Sequence, residues 1–117
     1  MGKPMIEGLV CGWIVGSAEA REGKNASKFV VAKVKASTSD GETIVINVIA
    51  FTIDACAALM ALDDGDALSL CGSLTPKVWS DKQGNSRPAL DMIASSVLTP
   101  YHASQKRSEI AHPELPP

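Results

Sequence analysis

Leu68-Ser69-Leu70-Cys71-Gly72-Ser73-Leu74-Thr75 alternates large apolar residues with small ones. Pro76-Lys77-Val78-Trp79-Ser80-Asp81-Lys82-Gln83-Gly84-Asn85-Ser86-Arg87 follows, and Ala89 to Leu98 alternates again. Two period-two runs around a polar segment containing Gly84-Asn85 predict two strands joined by a projecting β-hairpin arm. Trp79 lies in this arm with Lys77 and Lys82 as neighbours and Arg87 on the returning side. Tryptophan usually buries its large apolar area in a core. An open π-face bordered by cations is instead equipped to stack an unpaired base while its phosphates are neutralised. A second reading, of equal standing on this segment alone, folds Trp79 back onto the domain as a staple for the hairpin.

The rest of the chain reads as three earlier strands and one short helix. Ile6 to Gly16 is β-branched and small, with Gly8, Gly12 and Gly16 four apart, as a first strand curling around a small barrel would need. Ser17 to Ser27 is polar and reads as a loop. Phe29 to Ala36 puts Val30, Ala32, Val34 and Ala36 on one side and Phe29, Val31, Lys33 and Lys35 on the other. Thr43 to Phe51 does the same with Ile44, Ile46, Val48 and Ala50 against Thr43, Val45, Asn47, Ile49 and Phe51. Thr52 can cap a helix from Ile53 to Leu62, with Asp54 in its first turn and Gly65 beyond its end. Asp66 to Thr75 and Ala89 to Leu98 supply the last two strands, and Asp63, Asp64 and Asp66 read as solvated charges of a turn rather than a metal cluster. The expected fold is all-β: a five-stranded, partly open OB-fold barrel with one short helix between strands 3 and 4 and a projecting hairpin between strands 4 and 5. One domain is expected over residues 1–100, followed by a flexible, polar, proline-rich tail at 101–117.

The bulk numbers bound the function. The 117 residues are 45% hydrophobic and 21% charged, ordinary values for one soluble domain. The net charge of −2 counts against a nucleic-acid binder, but Arg21, Lys24, Lys28, Lys33 and Lys35 fall close together while Asp54, Asp63, Asp64 and Asp66 cluster elsewhere. A molecule can be acidic overall and basic on one face. Cys11, Cys56 and Cys71 form no CxxC pair and are expected as small buried thiols in a reducing compartment. No apolar run would cross a bilayer and no export signal is visible, so the cytoplasm is the expected location and no membrane partner is expected. His102 and His112 lie in the tail, far from any plausible partner, and no nucleophile elbow or phosphate-cradling loop occurs. The chain is therefore expected to be no enzyme and to need no cofactor or metal.

Four blocks of residues, in order and at near-family spacing, resemble the DNA-binding domain of bacterial single-stranded-DNA-binding proteins (SSB). They are Gly12 with Glu19-Ala20-Arg21; Gly23-Lys24 with Phe29 and Ala32; Asp40-Gly41-Glu42-Thr43 with Val48-Ile49-Ala50-Phe51; and Asp64-Gly65-Asp66, Gly72-Ser73-Leu74, Trp79-Ser80-Asp81, Gly84-Asn85 and Arg87. The resemblance spans Leu9 to Val97 and implies binding of single-stranded DNA without strong sequence preference, in replication, recombination or repair. Of the family's stacking aromatics, Phe51 and Trp79 are present, while a third position holds Val45 and a fourth has no aromatic counterpart between Ala36 and Thr43. Trp13 either compensates or packs at a subunit contact.

Lys33, Lys35, Lys77, Lys82, Arg87 and Arg21 are the candidate phosphate partners, each with the alternative of a solvated surface charge. The resemblance implies a homotetramer, with a dimer as the alternative. It also implies replication or recombination proteins as further partners, but the ending Glu109-Ile110-Ala111-His112-Pro113-Glu114-Leu115-Pro116-Pro117 lacks the family's acidic tip for recruiting them. The competing class is an OB-fold protein-interaction or primosome-like accessory module with weak or no nucleic-acid binding.

Overall fold

Five strands and one short helix follow in the order that the alternation implies, and the computed structural model describes residues 5–99. The strands are β1 (Glu7–Glu22), β2 (Lys28–Ser37), β3 (Thr43–Ala50), β4 (Ala67–Ser80) and β5 (Ser86–Leu98), with α1 (Ile53–Met60) between β3 and β4. They close into a barrel in the order β1-β2-β3-β5-β4, and β3 with β5 is its parallel pair. This is the OB-fold, with its seam between β1 and β4 sealed rather than partly open. The tail expected at 101–117 lies outside the described residues. No helix among the described residues is long and apolar enough to cross a membrane.

The apolar side of each strand fills the barrel. Val30, Ala32 and Val34 of β2 meet Ile46, Val48 and Ala50 of β3, Leu68 and Leu70 of β4, and Met92 and Ala94 of β5. Burying each of the larger side chains stabilises the fold by about 1.5–3 kcal/mol. The helix closes one end, where Ala55, Ala58 and Leu59 are buried; the alanines let its backbone approach closely. Its first turn is fixed by Thr52, whose Oγ1 accepts from the Ala55 N–H at 3.3 Å.

Three expectations need correction. The polar stretch after Gly16 is strand for most of its length, since Glu19, Ala20, Arg21 and Glu22 pair with Val31, Val30, Phe29 and Lys28. Gly16 adopts φ +70° and the register slips between Val15 and Glu19, so a bulge re-aims β1 into a hairpin that overhangs the barrel. An overhanging hairpin has little core beneath it and shows little apolar period. Second, the turn carboxylates are fasteners: Asp64 Oδ1 accepts from the Gly16 N–H at 2.7 Å and Asp66 Oδ2 from the Asp63 N–H at 2.8 Å. Third, Cys11 and Cys71 are exposed and Cys56 is half-buried. Strand alternation turns Val10 and Leu70 inward, which leaves Cys11 and Cys71 facing outward.

Candidate nucleic-acid interface

The outward side of the barrel carries the residues that break each strand's apolar alternation. Register aligns Trp13, Lys35, Val45, Ala89 and Lys77 in one row across β1, β2, β3, β5 and β4. The next row runs Val15, Lys33, Asn47, Asp91 and Thr75. Two adjoining hollows of about 740 and 480 Å³ lie over these rows and share Val15, Lys33, Asn47 and Lys77, so they form one groove. Glu19 and Arg21 of the β1–β2 hairpin line the larger lobe, and Trp79 of the β4–β5 arm lines the smaller one.

The smaller lobe exists because its floor is made of short side chains. Val45 and Ala89 lie beneath Trp79, with Lys33, Lys35 and Lys77 at the margins. A bulky aromatic at position 45 would fill this space; valine leaves it open. Trp79 keeps 45% of its surface exposed, so part of the indole stays open to the groove. Across the whole groove, four cations (Arg21, Lys33, Lys35, Lys77) face two carboxylates (Glu19, Asp91). The face is thus basic although the chain carries a net charge of −2.

Phe51 lies outside the groove lining but on its line. Val31 and Ile49 line the larger lobe, and one pleat further along β2 and β3 come Phe29 and Phe51. Their ring centroids are 6.0 Å apart with planes tilted by 48°, and Phe51 is 56% exposed. From Val45 to Phe51 is about 20 Å of strand at the ordinary rise per residue. Trp79 and Phe51 therefore sit toward opposite ends of the cationic track.

The remaining candidates divide. Arg21 is in the groove with its guanidinium 3.1 Å from Glu19. Lys77 Nζ lies 3.8 Å from Asp91 Oδ2, also inside the groove. Lys33 and Lys35 make no ion pair among the described residues. Lys82 is exposed in the turn of the arm and does not line the groove. Arg87 stands directly across from Trp79, where its Nε donates to Asp81 Oδ2 at 3.0 Å. Asp81 also accepts from the Asn85 and Gln83 N–H groups at 2.9 and 3.0 Å, which ties the arm's turn together. The Asn85 N–H chiefly, with smaller help from Arg87 and the Gln83 N–H, holds the Asp81 carboxyl below its ordinary range against an opposing effect of burial. Trp13, 37% exposed, pairs with Lys35 and Ala67 and stands beside the groove without lining it.

Two groove residues escaped the sequence reading. Asn47 Nδ2 donates to Asp91 Oδ1 at 3.1 Å in the middle of the floor. Each is a polar residue centred in an otherwise apolar strand, which is the signal that could have found them.

No family model and no curated protein matches this sequence. Among solved structures, the chain is similar to the small single-stranded DNA-binding protein of Streptomyces coelicolor, at 19% identity and a TM-score of 0.66, over 83% of this chain and 95% of that one. It is also similar to the mitochondrial single-stranded DNA binding protein Rim1 of S. cerevisiae, at 15% identity and a TM-score of 0.57, over 83% and 96% of the two chains. A second structure of Rim1 gives 11% identity and a TM-score of 0.63 over the same shares. At these identities the likeness establishes a shared fold.

Proposed function

We propose that this protein binds single-stranded DNA with little regard to sequence and protects it during replication, recombination or repair. The observation that carries the reading is the half-exposed Trp79 face on the wall of a groove whose margins hold Lys33, Lys35 and Lys77. The lysines neutralise phosphates, which gives affinity that falls with salt, while the indole stacks on any base. Duplex DNA hides its base faces, so only unpaired strands use both terms. That the similar solved structures are single-stranded-DNA-binding proteins supports the same ligand here. The role is binding and shielding, without catalysis.

One small barrel covers a short stretch of strand, and the reading includes assembly into a homotetramer, or a dimer in the smaller alternative. The outward side chains Leu9, Trp13 and Leu98 supply exposed apolar surface for contact between copies. Light scattering on the purified protein reads the mass directly.

Fluorescence anisotropy with a labelled single-stranded oligonucleotide tests the binding. The expected result is saturable binding that weakens steadily as salt rises, and far weaker binding to the same sequence as a duplex. An absence of single-strand binding at low salt would favour a protein-interaction module that kept the barrel and lost the nucleic acid.

A further inference from the structure

A carboxylate in the middle of a phosphate-binding groove opposes the charge of its ligand, and Asp91 is such a group. Its Oδ1 accepts from Asn47 Nδ2 at 3.1 Å and its Oδ2 lies 3.8 Å from Lys77 Nζ. The side chain is 44% exposed, so the carboxylate is held in place from one side and open to the groove on the other. Register sets it four residues of β5 beyond the level of Trp79, about 13 Å along the strand. A base other than the one on the indole would reach it.

An ionised carboxylate only accepts hydrogen bonds. Cytosine, adenine and guanine each offer it an exocyclic amino group, and an acidic side chain accepting from cytosine N4 is an established pairing. Thymine presents two carbonyl oxygens around a single N–H and meets the carboxylate with like partial charges. Lys77, beside Asp91, can donate to the ring nitrogen next to the amino group in cytosine. Resting on the single-strand reading above, we infer that Asp91, oriented by Asn47, biases this groove toward bases bearing an exocyclic amino group and against thymine. The bias sits on top of sequence-tolerant stacking, and Asp91 is its specificity-determining residue.

Oligo-dC and oligo-dT of equal length test this, because the two pyrimidines carry the same backbone charge and similar stacking surface. The wild-type protein is expected to bind oligo-dC about fivefold or more tightly than oligo-dT, as a charged hydrogen bond to one base implies. Asp91→Asn removes a negative charge and should strengthen binding to both oligomers. Its amide can donate as well as accept, so the dC-to-dT ratio should collapse to within about twofold of unity. The ratio, not the absolute affinity, is therefore the readout. Equal affinities in the wild type, or a ratio unchanged in Asp91→Asn, would overturn the base preference while leaving single-strand binding intact. Failure of the wild type to bind either oligomer would overturn the single-strand reading and this inference with it.

Discussion

Trp79 is worth most in this molecule for what it leaves uncovered. An indole on a core-facing position would be sealed, whereas the arm carries it past the barrel's edge and sets it over Val45 and Ala89. A base stacked there should contribute about 1–3 kcal/mol, so Trp79→Ala is expected to weaken single-strand binding roughly five- to 150-fold. The far-UV circular dichroism spectrum should report the same secondary structure, since the side chain supports no buried core; an intact affinity would remove Trp79 from the site. Asp81 acts on the same arm without touching the ligand. Its carboxyl lies below the ordinary value near 3.8, held there chiefly by the Asn85 N–H. A depressed carboxyl contributes fully above its unfolded value and loses that contribution as pH falls through the lower folded one. The turn of the arm should therefore stay ordered through neutral pH and loosen only below the ordinary carboxylate range. Following the Asn85 amide resonance during an acid titration would show this. In Asp81→Asn the pH step should vanish and the resonance should lie nearer its random-coil position throughout.

Among the elements, β2 and β3 were the most legible in the sequence because a sheet with one face buried writes its alternation directly. Val30-Val31-Ala32-Lys33-Val34-Lys35 can be placed in only one register without sending lysine into the core. The helix was equally legible from Thr52 and the alanines after it. The far half of β1 was not, because Glu19 to Glu22 form an overhanging hairpin, whose polarity is indistinguishable from that of a loop. The pairing of Asn47 with Asp91 joins residues 44 apart on parallel strands, which no local pattern encodes. Phe51 and Trp79 were legible as exposed aromatics, yet their positions toward opposite ends of the groove follow only from the barrel's register. Of the three spaced glycines in β1, Gly12 is the one held by close backbone approach: a Cβ there would overlap the Lys35 carbonyl oxygen. Gly12→Ala is thus expected to lower the midpoint of thermal unfolding sharply or prevent folding. At Gly23, where the nearest atoms lie at 3.3 Å or more, the same change should be mild by comparison. Equal losses at the two positions would refute the role assigned to Gly12.

At the scale of the whole molecule, a chain with more acidic than basic residues presents a basic groove because its acids are used elsewhere. Asp64 and Asp66 bind backbone N–H groups at the helix-to-strand turn, Asp81 closes the arm, and Asp40 accepts from the Thr38 hydroxyl in the β2–β3 turn. Lys33 and Lys35 meanwhile face outward on β2 with no ion pair among the described residues. Replacing both lysines with glutamine should flatten the dependence of log affinity on log salt by up to about 1.4, at roughly 0.7 for each single-strand phosphate that is no longer neutralised. A slope unchanged in that double variant would move the phosphate track elsewhere.

The chain contains two tryptophans, so Trp13→Phe leaves Trp79 as the sole indole reporter. Titrating that variant with a single-stranded oligonucleotide, while anisotropy of a labelled strand records occupancy, asks directly whether bases lie on that ring. Strong quenching that rises in step with occupancy and is absent with duplex is the expected outcome. Full occupancy with undisturbed Trp79 emission would contradict the stacking groove on which the proposed function rests.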